Sequence, residues 1–462
     1  MQLPHSEQVR NGPGADFRLA PYADKREHFD RDRSFDMLNL RQWSNNIEAQ
    51  VMTSPPTSET VPFFGWYVVA ATFVLATFGW GGGFYGPPIY LQMVVQRTGW
   101  SVAFVSSAVT LHFIVGAVVV ANLPRLYRLW NIPIITVAGA VLLATGVVCW
   151  SSASQPWHLF AAAFLSGTGW VAMGAAAVNA IISPWFVRRR PAALSMAYNG
   201  ASVGGVIFSP LWVILIVSSG FSQATIMVGI SMILTVAALS VLVFSKSPEV
   251  MGQSPDGTGS HVVISPTSAP LVSSGPRSSL WSNRRFLTLA IAMAAGLFAQ
   301  IGLLSHLFSM VVPLFGLQTA GLVMGGATVA AIVGRSGIGW LMPATADRRL
   351  VASASYSVQI LGSLTLLFAG GDNAAAMIIG VLLFGLGIGN ATSLPPLIAQ
   401  VEFDKADVTR VVPLIVALSQ GTYALAPAVF GLVRTISDPS VFILAAAIQC
   451  FAVLAFLHGR HR

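Results

Sequence analysis

Charged residues are scarce in this chain of 462 residues, in which Asp, Glu, Lys and Arg make up 9% and hydrophobic residues 54%. A soluble globular domain carries about 25% charged residues, so this scarcity excludes a soluble globule and indicates a polytopic membrane protein. Cysteine is nearly absent as well. Cys149 and Cys450 both lie inside apolar runs, so the sequence implies neither a disulfide framework nor a redox compartment.

Sequence motifs for catalysis and cofactor binding are also missing. There is no Gly-x-x-x-x-Gly-Lys-Ser/Thr motif, no Ser-His-Asp cluster and no His/Cys spacing typical of a metal site. The sequence therefore predicts a protein that is not an enzyme, binds no cofactor or metal, and does not use ATP. The formal net charge of +8 reflects mostly the placement of basic residues in loops, so we expect no nucleic-acid partner.

Twelve apolar runs are long enough to cross about 30 Å of hydrocarbon, which takes roughly 20 helical residues. Their approximate cores are 64–92, 101–122, 132–152, 157–183, 192–217, 224–245, 286–312, 318–342, 349–369, 374–399, 411–433 and 440–458. Residues 246–284, rich in Ser, Pro and Gly, read as a linker that divides these spans six and six. The predicted fold is an all-α membrane protein with twelve transmembrane helices in two pseudo-symmetric six-helix bundles, 61–245 and 285–459.

The first 60 residues are polar, mix both charge signs and lack an apolar core, which predicts a disordered tail. Alternatively, translation starts at Met52, because Met52-Thr-Ser-Pro-Pro-Thr leads directly into the first span. Basic loop residues fall almost entirely on one side of the membrane; only Arg97 and Arg434 fall on the other. Since positive residues stay cytoplasmic during insertion, we expect a plasma or inner membrane protein whose tail, linker and C-terminus are cytoplasmic.

The two halves of the sequence are related by a weak repeat at an offset of 218 residues. Gly167 and Gly169 in span 4 fall on Gly385 and Gly387 in span 10, and Ile114-Val115-Gly116 falls on Ile332-Val333-Gly334. Transporters built from parallel repeats bind substrate near the midplane, where the repeats meet. This register sets Ala117 of span 2 opposite Arg335 of span 8, so the charge occurs in one half only.

Arg335 is the strongest candidate site residue, because it is a full positive charge inside a predicted span. A guanidinium in hydrocarbon costs at least about 2.5 to 3.5 kcal/mol unless it is paired. All eight acidic residues after residue 60 map to loops or helix ends, so Arg335 has no obvious counter-ion in the membrane. An anionic ligand would supply one; alternatively, Arg335 reaches the cytoplasmic interface or binds backbone carbonyls.

Other polar residues in the predicted spans are candidates for lining a substrate cavity. His306 in span 7 can relay a proton or form a neutral hydrogen bond to a neighbouring helix, and we favour the second role for His112 in span 2. Uncharged candidates either bind a ligand or hold helices together. They are Tyr85 and Tyr90 in span 1, Asn199 in span 5, Gln300 in span 7, Asn390 in span 10, and Gln420 and Tyr423 in span 11.

The motifs between and within these spans resemble the major facilitator superfamily. The resemblance rests on Gly334-Arg-Ser-Gly-Ile-Gly-Trp-Leu followed by Asp347-Arg-Arg, together with the six-plus-six arrangement of spans. Within that superfamily the chain resembles the monocarboxylate porter branch. The motifs that carry this likeness are Trp185-Phe-Val-Arg-Arg-Arg-Pro-Ala-Ala-Leu-Ser-Met-Ala-Tyr-Asn-Gly-Ala-Ser-Val-Gly-Gly in span 5, Gly65-Trp-Tyr-Val-Val in span 1, and Pro248-Glu-Val-Met-Gly-Gln-Ser-Pro-Asp-Gly after span 6.

The resemblance implies alternating access, in which two six-helix bundles rock about a central site. In the monocarboxylate branch an arginine of span 8 binds the substrate carboxylate, and Arg335 occupies that place. The chain departs from that branch in having Ala331 where an acidic residue often stands and Pro87 near the place of a lysine. The loop after span 2, Asn122-Leu-Pro-Arg-Leu-Tyr-Arg, lacks the usual aspartate.

The sequence therefore predicts a secondary active transporter of a small organic anion, coupled by proton symport through His306 or by anion exchange. The predicted substrate-binding residues are Arg335, His306, Gln300, Tyr85, Asn199, Asn390 and Gln420. An alternative is a transporter or exporter of a neutral or amphiphilic compound, such as a drug, vitamin or siderophore, in which Arg335 is structural. A sensor on the same scaffold would need a folded output domain, which neither the tail nor the linker supplies.

Overall fold

Regular structure in the described residues is entirely helical, as the apolar runs predict. The structure is a computed structural model that describes residues 62–257, 280–343 and 345–460. The predicted tail at 1–60, the alternative start at Met52 and residues 258–279 of the predicted linker lie outside the described residues. We refer to residues 63–257 as the N half and to residues 280–460 as the C half.

The N half begins with a span built from two helices and continues through five further helical stretches. These are α1 (Gly65–Gly83), α2 (Gly86–Thr98), α3 (Val102–Ser152), α4 (Pro156–Trp170), α5 (Ala175–Ile182), α6 (Arg190–Ser219) and α7 (Phe221–Leu239). The C half contains α8 (Arg284–Leu341), α9 (Arg348–Ala369), α10 (Ala374–Glu402), α11 (Lys405–Tyr423), α12 (Ala426–Arg434) and α13 (Asp438–His458). The predicted boundaries of the two six-helix bundles stay predictions.

Ten helical stretches in the described residues are long and apolar enough to cross a membrane. Two of them, α3 and α8, contain 51 and 58 residues. At 1.5 Å per residue they would be about 75 to 90 Å long, far more than the roughly 30 Å of a bilayer core. Each contains one residue with a non-helical backbone, Asn131 (φ 58°) in α3 and Gly316 (φ 72°) in α8. Dividing the stretches there gives the twelve predicted segments.

Both break points fall between predicted spans, and local chemistry explains each. Gly316 adopts its positive φ without steric cost, since it lacks a Cβ atom. Asn131 tolerates the left-handed conformation, and its side-chain oxygen accepts a hydrogen bond from the backbone N–H of Ile134 at 3.1 Å. We call the segments on either side of Asn131 α3a and α3b, and those on either side of Gly316 α8a and α8b.

The first span is interrupted where glycine and proline cluster. Helix α1 ends at Gly83, and α2 begins at Gly86 with a proline in its first turn, so Phe84 and Tyr85 lie between the two helices. Span 11 is interrupted in a similar way before Pro427, between α11 and α12. Proline cannot supply a backbone N–H to the helix ladder, which accounts for both interruptions.

The internal repeat is visible in helix packing. A Cβ atom at Gly167 of α4 would lie 2.3 Å from the carbonyl oxygen of His112 in α3a. A Cβ atom at Gly385 of α10 would lie 2.6 Å from the carbonyl oxygen of Ala327 in α8b and 3.0 Å from Cβ of Ala330. Both glycines therefore permit close helix approach at equivalent places, since His112 and Ala330 correspond at the 218-residue offset.

The first part of the predicted linker packs on the N half. Gln253 accepts a hydrogen bond from the backbone N–H of Phe64 at 2.9 Å, next to the start of α1. Asp256 accepts hydrogen bonds from three consecutive backbone N–H groups, at residues 187–189. Slight burial acts to raise the pKa of Asp256, but these hydrogen bonds and the charge of Arg189 outweigh it and hold the pKa below its ordinary value.

Candidate functional site

The two halves meet where α6 crosses α8b, and small residues form the crossing. Glycine allows two helix backbones to approach closely. The contacts pair Gly205 with Thr328, Pro210 with Gly325, and Val213 with Gly321. Residue numbers rise along α6 as they fall along α8b, so these two helices run antiparallel.

Tyr85 completes this crossing from the interruption in the first span. A Cβ atom at Gly205 would lie 2.6 Å from Cζ of Tyr85 and 2.6 Å from Cγ2 of Thr328, so the three residues are in direct contact. The Tyr85 hydroxyl lies close to the Thr328 side chain and within electrostatic range of Arg335. One predicted site residue of the N half therefore lies next to the predicted anchor in the C half.

Arg335 lies two turns beyond Thr328 on the same face of α8b, about 10 Å further along the helix axis. Its side chain is half-buried, and its Nε donates a hydrogen bond to the carbonyl oxygen of Gly389 at 3.1 Å. No carboxylate of the described residues forms an ion pair with it. Asp347, the acid closest to it along the chain, pairs with Arg460 at 2.6 Å. Within the part of the chain that the structure describes, the charge of Arg335 thus has no fixed counter-ion.

Asn199 lies opposite Arg335 on the other wall. Because α6 and α8b run antiparallel from the contact of Gly205 with Thr328, Arg335 is level with Tyr198 and Asn199 of α6. Helical spacing puts Asn199 on the same face as Val206 and Pro210, which contact α8b. Asn199 is exposed, and it lies on the face of α6 that contacts α8b.

Two further predicted residues lie at the edges of the same region. Asn390 follows the glycine whose carbonyl binds Arg335; its Nδ2 donates to the Leu386 carbonyl at 3.2 Å, and its buried Oδ1 has no partner among the described residues. Gln420 lies close to the Tyr423 side chain, and the Tyr423 ring packs against Phe113 of the N half at 6.0 Å between ring centroids. Asn390 therefore lies beside the Arg335 contact, and Gln420 lies where α11 approaches the N half.

Gln300 and His306 are placed elsewhere. Gln300 accepts a hydrogen bond from Gln359 at 3.1 Å, and Gln449 donates to Gln359 at 2.8 Å, so this buried network joins α8a, α9 and α13. His306 is fully buried, and its Nε2 donates to the Pro427 carbonyl at 3.0 Å. Both residues hold helices together within the C half, and their part in substrate binding stays a prediction.

The tyrosine and histidine candidates of the N half are also packed between helices. Tyr90 is buried, and its hydroxyl donates to the carbonyl of Gly82 at 3.1 Å. His112 hydrogen-bonds Ser166 and the carbonyl of Gly83, each at 2.9 Å. This is the interhelical role that the sequence favours for His112.

A second buried arginine contrasts with Arg335. Arg349 of α9 is 1% exposed and forms a bidentate ion pair with Glu402, at 2.6 and 2.7 Å. It also donates to the Thr288 hydroxyl at 3.0 Å and to the Arg285 carbonyl at 2.9 Å. Sequence reasoning assigned Glu402 only to a helix end and missed this pair.

Two residues at the crossing were missed by sequence reasoning, Gly205 and Thr328. Gly205 belongs to the Gly204-Gly205 pair within the motif of span 5, which was a usable signal for close helix contact. Thr328 resembles any small residue of a membrane helix. Among the residues that the structure describes, no group of three or more His, Cys, Asp or Glu side chains could hold a metal ion.

Sequence comparison identifies relatives of this chain. A sequence model of the Major Facilitator Superfamily matches residues 69–431. The human protein monocarboxylate transporter 11 is 27% identical over 214 residues, which cover 44% of this chain and 44% of that protein. The chain thus matches less than half the length of this curated relative.

Solved structures share the fold. The nucleoside transporter NupG superposes with a TM-score of 0.66 at 12% identity, covering 86% of this chain and 100% of that one. A bacterial homolog of the human lysosomal transporter Spinster, in an inward-facing and occupied conformation, gives 0.61 at 13% identity, covering 85% and 95%. At such low identity these similarities concern the fold alone.

Proposed function

Because this chain belongs to the Major Facilitator Superfamily, a family of membrane transporters, we propose that it moves a small organic anion by alternating access. The proposed cargo is monocarboxylate-like. The proposed location is the plasma or inner membrane, with both termini in the cytoplasm, and its support is the concentration of basic residues in the loops of one side.

The observation that carries this proposal is the unpaired charge of Arg335. Among the described residues only its Nε has a hydrogen-bond partner, and that partner is a neutral carbonyl. A guanidinium presents five N–H donors in a fork that matches a carboxylate bidentately. A bound monocarboxylate would supply both the missing charge and the missing acceptors, and Asn199 lies on the face of α6 that contacts α8b.

Contacts between the halves support alternating access. Beyond the crossing of α6 and α8b, the backbone N–H of Ala428 in α12 donates to the Thr110 hydroxyl of α3a at 2.9 Å. Nearby, a Cβ atom at Gly431 would lie 2.6 Å from the Ser106 hydroxyl oxygen. These contacts lie toward the helix ends at Ser101 and Arg434, whereas Arg335 lies toward the opposite end. We propose that they close the outer side while the site opens to the cytoplasm.

Coupling is proposed to be anion exchange or proton symport through His306. The burial of His306 between α8a and α12 favours exchange, because its proton would have to leave a site without solvent contact. His306→Gln separates the two modes. If His306→Gln loses proton-driven uptake but still exchanges external for internal anion, symport through His306 is supported. If proton-driven uptake and anion exchange are both unchanged in this variant, anion exchange is supported.

One observation favours a second candidate, a carrier of a neutral or amphiphilic compound in which Arg335 is structural. The hydrogen bond from Arg335 to the Gly389 carbonyl joins α8b to α10, which is what a structural arginine would do. The two candidates differ in what they require of the guanidinium. A structural role needs one hydrogen bond, whereas a carboxylate anchor needs the full positive charge.

Uptake of labelled monocarboxylates into proteoliposomes tests the proposal. Arg335→Gln should lower uptake at least 100-fold while membrane insertion is retained, and Arg335→Lys should keep part of it, because lysine retains the charge without the bidentate fork. Arg97→Gln is the matched control, since Arg97 is exposed and its partners among the described residues are the backbone carbonyls of Trp150 and Ala153. Uptake that survives in Arg335→Gln would favour the second candidate.

A further inference from the structure

Trp80 of α1 points into the space between α4 and α6. Position 80 falls between two helix faces that are already occupied: Gly79 and Gly83 pack against Met173 and Trp170, while Thr77 and Gly81 pack against Gly204 and Phe208. On the opposite side of the helix, Gly82 faces Leu143 of α3b. At 100° per residue, the Trp80 side chain is therefore directed away from the body of the N half.

Trp80 belongs to a continuous group of aromatic rings that we call the aromatic wall. Its indole contacts Trp170 at 6.2 Å and Tyr198 at 6.4 Å between centroids, edge to face in both cases. The wall continues through Trp170 with Phe113, Phe113 with Phe84, and Phe84 with Tyr85. Trp80, Phe84, Tyr85 and Tyr198 are only half-buried, so part of each ring remains uncovered.

One end of the aromatic wall, formed by Trp80 and Tyr198, lies at the depth of Arg335. Helix α1 runs parallel to α6, since Phe73, Thr77 and Gly81 meet Gly200, Gly204 and Phe208 in that order. It is therefore antiparallel to α8b. From the contact of Tyr85 with Thr328, Trp80 lies about 7 Å along α1 and Arg335 about 10 Å along α8b, in the same direction. Tyr198, which touches Trp80, is level with Arg335 by the register of α6.

We propose that the cargo is a monocarboxylate that carries an aromatic ring, with its carboxylate on Arg335 and its ring on the aromatic wall. The inference rests on the proposed function and adds the substrate class to it. The N half offers rings and no charge at this depth, and the C half offers a guanidinium. An amphipathic anion satisfies both walls at once, whereas a short carboxylate leaves the rings without a partner.

Three carboxylates of graded side chain test the proposal on the wild-type protein in nanodiscs. They are 3-phenylpropionate, 3-cyclohexylpropionate and propionate, which share the anionic group. We expect 3-phenylpropionate to bind at least about tenfold more tightly than propionate, because it buries a six-carbon ring. It should also bind about threefold to tenfold more tightly than the cyclohexyl compound, because ring pairs attract beyond their buried area.

Variants of Trp80 test whether this residue causes the preference for 3-phenylpropionate over propionate. Trp80→Ala should reduce the preference for 3-phenylpropionate over propionate at least about tenfold, through weaker binding of the aromatic ligand alone. Trp80→Phe keeps a ring and should keep the preference. Trp157→Ala is the control, because that indole is 67% exposed at the start of α4 and lies outside the wall.

The outcomes separate this inference from the proposed function. Binding of propionate and 3-phenylpropionate with equal affinity, both abolished by Arg335→Gln, would overturn the aromatic class and leave the anion transporter standing. Equal binding of the phenyl and cyclohexyl compounds would also overturn it, and this comparison needs no variant to fold. If Trp80→Ala keeps the preference for 3-phenylpropionate over propionate, Trp80 does not bind the aromatic ring, and this would overturn the proposed contact. Binding of none of the three would contradict the proposed function itself.

Discussion

Two arginines of the C half, Arg349 and Arg335, are fourteen residues apart and differ greatly in their hydrogen bonds and ion pairs. Five hydrogen bonds satisfy all five N–H donors of Arg349, and Glu402 supplies the opposite charge. Arg335 has one hydrogen bond and no opposite charge among the described residues. The two arginines therefore differ most in how many of their hydrogen-bond donors have partners among the described residues.

The first test of this comparison replaces Arg349, the arginine whose N–H donors all have hydrogen-bond acceptors. Arg349→Met should destabilise the folded protein by about 3 kcal/mol or more, because it leaves the Glu402 carboxylate without its partner. Thermal unfolding in detergent would show this loss as a lower midpoint. Arg335→Gln should not lower the midpoint to a similar extent.

A double variant serves as the control. Arg349→Met combined with Glu402→Leu should recover most of the loss, since replacing a whole buried ion pair by apolar residues is often close to neutral. A double variant as unstable as Arg349→Met would mean that the other hydrogen bonds of Arg349, and not the ion pair, stabilise this region.

The second test leaves both arginines intact and displaces α6, the helix that crosses α8b. Gly205→Ala places a methyl group 2.6 Å from both Tyr85 and Thr328, so the crossing must open. Overpacking of this kind costs about 1–3 kcal/mol, which predicts a fall in uptake of about tenfold with little change in insertion. Gly421→Ala is the control, since nothing lies within 4 Å of a Cβ atom there. Equal uptake by the two variants would contradict the assigned crossing.

Much of the fold could be predicted from hydropathy. The backbone breaks at Asn131 and Gly316 fall between predicted spans 2 and 3 and spans 7 and 8, because long apolar runs must end where the chain leaves the hydrocarbon. Arg335 stood out for the same reason, as a charge inside such a run. The interruption of the first span coincides with Gly81-Gly82-Gly83 and the two prolines after it.

The faces of the helices could not be predicted. A membrane helix is apolar toward lipid and toward its neighbours, so no periodicity distinguishes Asn199, which lies on the face of α6 that contacts α8b, from Gln300, which holds helices together. The pair of Arg349 with Glu402 spans 53 residues and depends on how α9 packs against α10. Trp80 was missed because its orientation follows from the contacts of its glycine neighbours.

The third test asks whether two amide side chains, Gln300 and Asn199, differ in the same way as the two arginines, one stabilising the fold and the other binding substrate. Gln300→Leu should lower stability by about 1–3 kcal/mol, because it leaves the buried Gln359 side chain without its acceptor. Asn199→Leu should leave stability almost unchanged and weaken carboxylate uptake severalfold. Parallel unfolding and uptake measurements on the two variants decide this. The reverse pattern would transfer the binding role to Gln300.

The smallest effect concerns the ion pair of Asp347 with Arg460, at the edge of α9. Partial burial acts to raise the pKa of Asp347, but its hydrogen bonds to Arg460, Leu350 and Arg349 outweigh that and lower the pKa below its ordinary value. A lowered pKa stabilises the folded state above the unfolded value of about 3.9, and the stabilisation is lost as the pH falls through the folded value.

Asp347→Asn should therefore lower the unfolding free energy by less than about 1 kcal/mol at pH 7, because both partners are about a third exposed and screened by solvent. The difference between wild type and variant should shrink as the pH falls below the unfolded value of about 3.9, and it should vanish once Asp347 is protonated in the folded state. A difference that grows on acidification would contradict the assigned ion pair.

The thermal unfolding midpoint, measured with and without a saturating carboxylate, tests most directly whether a bound anion completes Arg335. The account predicts that 3-phenylpropionate raises the midpoint of the wild type and leaves that of Arg335→Gln unchanged, because ligand stabilises only a folded state that binds it. An equal rise in both proteins would contradict it. So would an Arg335→Gln variant as unstable without ligand as Arg349→Met, because Arg335 would then be structural.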